Sequence, residues 1–409
     1  MTLQNSPASL LASLSAPARN APPSGIVDLV NYARTKPGLI PLWVGEGDLS
    51  TPDFIGEAAM ASLRQGETFY TWQRGIPELR ASLAAYHARL YAGSRVAFTP
   101  ERFFVTGSGM QAVQIAVRMV GEAGDEFLVP TPAWPNFAAA IGVAGAVPVS
   151  VPMERQGDGF RLDIGRLGEA VTPRTKALVV NSPSNPTGWT ASLAELEALL
   201  ALARRHGLWI IADEIYGRFI HDDALARGKG RAPSFHDVME EDDRILFVQT
   251  FSKNWAMTGW RVGWLEAPPA LGQVIENLVQ YSTSGSPVFL QRGALAALEQ
   301  GEDFVAAQIA RAREGRAIVH QGLTADIPGS NRRIRMAPPD GAFYAYFFVE
   351  GREDARQLAI DLVDHANVGL APGTAFGAGG EAGLRLCYAR SADDLREAVR
   401  RIAAALPKL

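Results

Sequence analysis

Ser252-Lys253 follows a short apolar run, Ile245-Leu246-Phe247-Val248, and eight residues beyond the lysine comes Arg261, bracketed by Gly259 and Gly263. The apolar run reads as a buried strand. A lysine amine condenses with an aldehyde, and an arginine fork grips a phosphate. The segment therefore suits a ligand that carries both groups. The chain has five lysines, and the other four are badly placed for this chemistry. Lys36 lies in the turn Thr35-Lys36-Pro37-Gly38, Lys176 at the amino end of an apolar run, Lys229 in an Arg- and Gly-rich loop, and Lys408 in the tail. Ligands of open α/β sheets bind beyond the carboxyl ends of the strands, which is where Lys253 falls.

Four other apolar runs end on chemistry-bearing residues. Phe103-Phe104-Val105 leads into Thr106-Gly107-Ser108-Gly109-Met110-Gln111-Ala112 and then a helical pattern, so backbone amides at a helix start can approach an anion. Phe127-Leu128-Val129 leads to Trp134, an aromatic plane near the mouth. Leu178-Val179-Val180 leads to the turn Asn185-Pro186-Thr187-Gly188, and Leu208-Ala212 leads to Asp213 and Tyr216. Singly, each has a structural explanation: a packing tryptophan, a turn, a helix-capping aspartate, and for Arg385 a surface position on an alternating strand. Their joint placement on one sheet edge favours a site.

Other chemistries fit less well. Gly107 to Ala112 matches the GxGxxA dinucleotide string, but the next strand ends in Pro130-Thr131, where the acid for a ribose is expected. Gly228-Lys229-Gly230 lacks the remainder of a Walker motif. The six histidines are scattered, without paired metal-ligand spacing, and the single cysteine, Cys387, lies in an alternating strand pattern, so no metal site and no disulfide are expected.

The elements that must position these residues follow from periodicity. Ile76, Leu79, Leu83, Tyr86 and Leu90 recur at helical spacing, and a helical stretch from Ser192 to His206 separates two of the apolar runs. Strands alternating with helices predict a mainly parallel, doubly wound sheet. After about residue 267 long helical patterns take over, Leu271 to Val279 and Val288 to Leu298, then strand-like Ala342–Phe348 and Gly383–Tyr388 and a helix from Asp393 to Ala405. The expected division is a flexible arm over residues 1–24, a segment over 25–60 packing with the smaller domain, a large ligand-binding domain over 61–290 and a small α/β domain over 291–409.

With 409 residues, 47% apolar and 20% charged, the chain is a packed protein rather than a disordered one. A net charge of −4 gives no reason to expect nucleic acid or an anionic membrane as partner. No basic residue precedes Leu10-Leu11 in the manner of a signal peptide, and no stretch approaches the ~20 apolar residues of a membrane span, so a cytoplasmic protein is expected.

From about Pro41 onward the chain resembles the class I/II pyridoxal-phosphate-dependent aminotransferases of the aspartate aminotransferase fold (fold type I). The resemblance is carried by Gly45-Glu46, Tyr70-Thr71 with Gly75, the Gly109 loop, Asn185-Pro186-Thr187-Gly188, Asp213 with Tyr216, Ser252-Lys253, Gly259-Trp260-Arg261, Pro372-Gly373 with Phe376-Gly377, and Arg385. It implies a seven-stranded-type sheet, pyridoxal 5′-phosphate as cofactor, and ping-pong transfer of an amino group from an L-α-amino acid to a 2-oxo acid through a Lys253 Schiff base. It further implies that Arg261, Thr250, Ser252 and the amides of Ser108, Gly109 and Met110 hold the phosphate. Asp213 then pairs with the ring nitrogen, Tyr216 and Asn185 bond the ring hydroxyl oxygen, and Trp134 stacks on the ring. Arg385 and Gly45 take the substrate α-carboxylate, and Tyr70 reaches the phosphate of a neighbouring subunit, which implies a homodimer with shared sites. Lys253, Asp213 and Tyr216 are the catalytic candidates. The same residues also serve a C–S lyase, and a non-catalytic member of the fold is the remaining alternative. Two departures matter: Glu46-Gly47-Asp48 replaces the usual Glu-Pro-Asp, and Leu278-Val279-Gln280 precedes Tyr281-Ser282 where aspartate-specific members carry an arginine. Arg74 and Arg218 are the candidates to replace that arginine.

Overall fold

The computed structural model describes residues 7–327, 330 and 333–409. Among these, seven strands form the central sheet: β1 (Phe103–Thr106), β2 (Glu126–Thr131), β3 (Val147–Pro152), β4 (Thr175–Asn181), β5 (Trp209–Asp213), β6 (Ile245–Thr250) and β7 (Gly263–Glu266). Their order is β1-β7-β6-β5-β4-β2-β3. β7 runs antiparallel to β1 and β6; the other pairs are parallel. The mainly parallel sheet is as expected, and the five runs read as strands all lie in it.

The inner strands are apolar throughout because both of their faces are covered. Side chains alternate between those faces: Val179, Ile211 and Leu246 pack on one side, and Leu178, Val180, Ile210, Ala212 and Phe247 on the other. One covering helix, Leu193–His206, is set by its sequence at both ends. Ser192 and Glu195 form a capping box, a cap worth about 1 kcal/mol, and Gly207 ends the helix in left-handed backbone at φ 65°.

A second sheet, of β8 (Ile334–Arg335), β9 (Tyr344–Val349), β10 (Ala371–Pro372) and β11 (Gly383–Cys387), is antiparallel in the order β8-β9-β11-β10. The Glu302–Thr324, Ala355–Ala366 and Ala392–Ala405 helices pack with it. Leu29, Leu42 and Trp43 join the same core, and Ile40–Pro41 pairs in parallel with Val368–Gly369.

The arm expected over residues 1–24 begins outside the described residues; from residue 7 it carries short helices at Pro7–Ala12 and Ala16–Arg19. Residues 25–42 pack with the second core, but Asp53–Arg64 forms a helix against Val288–Gln300. The cut expected between residues 290 and 291 falls inside that Val288–Gln300 helix. Its Ala294, Ala297 and Leu298 pack with Phe103, Val105 and Leu83, so its apolar face ties it to the first sheet. Among the described residues no helix is long and apolar enough to cross a membrane.

Candidate active site

The carboxyl ends of β4, β5 and β6 and the helix start after β1 open on one cleft of about 650 Å³. Of the residues singled out in the sequence, Gly45, Gly109, Met110, Trp134, Asn185, Asp213, Tyr216, Thr250, Ser252, Lys253, Arg261 and Arg385 line it. No other lysine does. Lys36, Lys176 and Lys229 are instead paired with Asp364, Asp125 and Asp237.

Lys253 follows β6, and its Nζ donates to the Gly45 carbonyl at 2.7 Å. It lies 6.0 Å from the centroid of the Tyr216 ring. Desolvation brings the amine down from 10.5 to about 8, with Arg385 and Arg261 acting in the same sense. A neutral amine, the form that attacks a carbonyl or takes up a proton, is thus far more populated near neutral pH than in an ordinary lysine.

Asp213 closes β5 at the buried floor, 2% exposed. One carboxylate oxygen accepts from the Ile215 amide at 3.3 Å. Burial pushes the carboxyl up from 3.8 to about 7. A cationic ring nitrogen placed against it stabilises the carboxylate, so the environment fits a protonated heterocycle. The buried Tyr216 phenol shares a 2.7 Å hydrogen bond with the Tyr344 hydroxyl, and burial raises its pKa well above the ordinary value, so it remains a donor.

The opposite end of the cleft suits an anion. The Gly109 and Met110 amides are the first two of the Gly109–Val120 helix and have no intrahelical acceptor. The Thr250 and Ser252 hydroxyls lie 2.9 Å apart beside them. Arg261 adopts left-handed backbone at φ 54°, which for a non-glycine residue costs about 1–2 kcal/mol. Gly263 lets β7 come close: a Cβ there would stand 2.7 Å from both the Gln249 carbonyl and the Gly109 nitrogen.

Arg385 is built in from several sides. Nη1 donates to Asn185 Oδ1 at 2.9 Å, Nη2 donates to the Trp43 carbonyl, and the guanidinium carbon lies 4.7 Å and 4.9 Å from the Tyr344 and Phe376 ring centroids. Among the described residues its buried Nε has no hydrogen-bond partner. A fixed, buried and incompletely satisfied guanidinium is suited to a carboxylate. A Cβ on Gly45 would run into the Tyr344 hydroxyl, so that position also depends on close approach.

Four singled-out residues do not line the cleft. Ser108 caps the helix by accepting from the Gln111 amide at 3.2 Å. Tyr70 is 93% exposed and does not line this chain's cleft. Arg74 and Arg218 do not line it either; they pair with Glu276 and Glu302. Sequence reasoning missed Asn181, whose Oδ1 accepts from the Asn185 amide at 2.8 Å and whose Nδ2 donates to the Asp213 carbonyl at 3.1 Å. It also missed Tyr344, whose direction a strand pattern does not reveal. Ile26, Val27 and Val30 of the Gly25–Ala33 helix line the cleft as well, and Ser24 followed by apolar residues at 26, 29, 30 and 33 was the available signal.

Away from the cleft, His87, His236 and Glu266 converge in the interior, a grouping hidden by their sequence separation. Glu266 Oε2 lies 2.9 Å from His236 Nε2, its Oε1 accepts from Arg102 Nε at 3.3 Å, and Trp264 Nε1 donates to His87 Nε2 at 3.2 Å. Arg102 thus supplies the counter-charge that a buried carboxylate requires.

Residues 37–402 match the family model described as aminotransferase class I and II. A probable aspartate/prephenate aminotransferase of Aquifex aeolicus is 37% identical, covering 89% of this chain and 90% of its own length. An arginine–pyruvate transaminase of Pseudomonas aeruginosa is 36% identical over 91% of each chain. Among solved structures, a mutant aspartate aminotransferase of Thermus thermophilus superposes with a TM-score of 0.86 at 34% identity, covering 96% of this chain and 100% of the other.

Proposed function

The chain belongs to the class I and II aminotransferases, and from that membership we propose how the residues of its cleft divide the reaction. The reaction is transfer of an amino group from an amino acid to a 2-oxo acid, and the family uses pyridoxal 5′-phosphate. The relatives are named for different donors, so the reaction type carries across to this chain and the donor does not.

When bound, the cofactor supplies an aldehyde for the substrate amine and a protonated ring that accepts the electron pair left by the departing α-proton. The Gly109 and Met110 amides, with Thr250, Ser252 and Arg261, would hold its phosphate. Asp213 would pair with the ring nitrogen and favour its protonated form, and Trp134 would stack on the ring. Tyr216 would donate to the ring oxygen, and so would the Asn185 Nδ2, because the Asn185 Oδ1 is already committed to Arg385. Arg385 and the backbone at Gly45 fix the substrate α-carboxylate. Lys253 would hold the cofactor through its amine and would carry the α-proton as general base and acid.

The observation that carries this division is the convergence of one amine, one buried carboxyl and one buried guanidinium on a single cleft. Borohydride reduction of the loaded protein should fix the cofactor to the peptide containing Lys253. Lys253→Ala should abolish that product and lower amino transfer by about 10³-fold or more. A reduced adduct on any other lysine would overturn the assignment.

Shared sites in a homodimer are part of the proposal. Tyr70, idle in its own chain's cleft, sits with Phe69 and Trp72 in an exposed aromatic patch suited to a second copy.

A further inference from the structure

We infer that the cleft selects amino donors with uncharged, apolar side chains and monocarboxylic 2-oxo acids as acceptors. The inference rests on the aminotransferase reading and on Arg385 as the α-carboxylate anchor.

A second carboxylate finds no counter-charge here. Among the described residues, the charged groups lining the cleft are Glu46, Asp213, Lys253, Arg261 and Arg385. Arg261 stands at the phosphate end, Lys253 is the reacting amine and Arg385 takes the α-carboxylate, so no cation remains for a distal acid. Among the described residues Glu46 makes no ion pair, and it adds a negative charge near Lys253, which disfavours a further carboxylate. The two arginines placed to compensate are committed elsewhere, Arg74 to Glu276 at 2.8 Å and Arg218 to Glu302. Residues 69–74 and 281–287, the stretches with the exposed Tyr70, Trp72 and Tyr281, hold one cation between them, the same Arg74.

The remaining wall is apolar. Ile26, Val27 and Val30 of the Gly25–Ala33 helix face the cleft with Val44, on the segment that leads to Gly45. Its polar members, Ser24, Asn136 and Thr258, are neutral. This helix is held near the guanidinium: a Cβ on Gly25 would stand 3.4 Å from Ala375, next to the Phe376 that stacks on Arg385. A substrate with its carboxylate on Arg385 therefore meets methyl groups from Ile26, Val27 and Val30. Such a pocket discriminates by about tenfold or more for each methylene it buries.

The test measures the first half-reaction of the loaded enzyme by the absorbance change of the cofactor. Leucine, methionine and phenylalanine should show kcat/KM at least about tenfold above aspartate and glutamate. Aspartate or glutamate at parity or better would overturn the inference. Preference for arginine or lysine would overturn it too, in favour of Glu46 as a side-chain anchor. If no amino acid changes the absorbance, the aminotransferase reading itself fails. Calorimetry supplies a readout independent of turnover: 4-methylpentanoate should bind the loaded enzyme at least about tenfold more tightly than glutarate, and the reverse order would count against the apolar wall. Val27 is 51% exposed, so Val27→Arg spares the core. It should raise the aspartate-to-leucine ratio of kcat/KM about tenfold, and an unchanged ratio would mean that the side chain is read elsewhere.

Discussion

Asp213 and Lys253 are displaced by burial in opposite directions, and each displacement is also a stability term. Asp213 moves from 3.8 to about 7, so between about pH 4 and 7 the folded, cofactor-free protein keeps a proton that the unfolded chain has released. Stability then falls as pH rises through that window. Lys253 is held at about 8 against 10.5, so from pH 8 upward the unfolded chain binds the extra proton and stability climbs with pH. Asp213→Asn should therefore remove its share of the acid-side slope of the urea midpoint, leaving that of the buried Glu214, which burial raises to about 8. The Asp213 share corresponds to a change on the order of a few kcal/mol, and a wild-type slope persisting in the variant would assign it to another group. With cofactor loaded, the same substitution should slow amino transfer by roughly 10³-fold while the cofactor is retained. In the proposed role, a bound pyridinium would favour the Asp213 carboxylate, and what burial costs the apoprotein would become an attraction in the loaded protein.

Gly263 joins two elements that must nearly touch, β7 and the start of the Gly109–Val120 helix. Gly263→Ala should destabilise the protein by about 1–3 kcal/mol through overpacking and weaken cofactor retention, read as a lower denaturation midpoint and faster cofactor loss on dilution. The strands bearing Thr106, Asn181, Asp213 and Thr250 were legible because each is an apolar run that stops at a polar residue on the ligand edge. β7 was not, because Gly263–Glu266 is four residues long and emerges directly from the Arg261 turn. β3 escaped because Pro148 and Pro152 punctuate it, which an edge strand with a single neighbour tolerates. Asn181 and Tyr344 show the further limit: sequence marks a strand end or a strand, whereas the partners of an amide or a phenol depend on chain brought in from far away.

For the whole molecule, the exposed patch of Phe69, Tyr70 and Trp72 predicts assembly. Sedimentation should give a dimer, and Tyr70→Phe should leave the dimer intact while raising the Kd for cofactor by about tenfold, the loss of one hydrogen bond to a charged group. A monomer in solution, or an unchanged Kd, would remove the shared-site arrangement. Within one chain the two sheets are less separable than their topology implies. Tyr216 stands just beyond β5, yet it and Phe219 pack into the core of the second sheet, edge-on to Phe343 and, for Tyr216, joined by its hydroxyl to Tyr344. The seam between halves thus runs through the floor of the cleft rather than around it. A chimera that joins residues from one parent through β6 to the C-terminal part of a 37%-identical relative would assemble that floor from two ancestries, so the inheritable module of this enzyme is the entire chain.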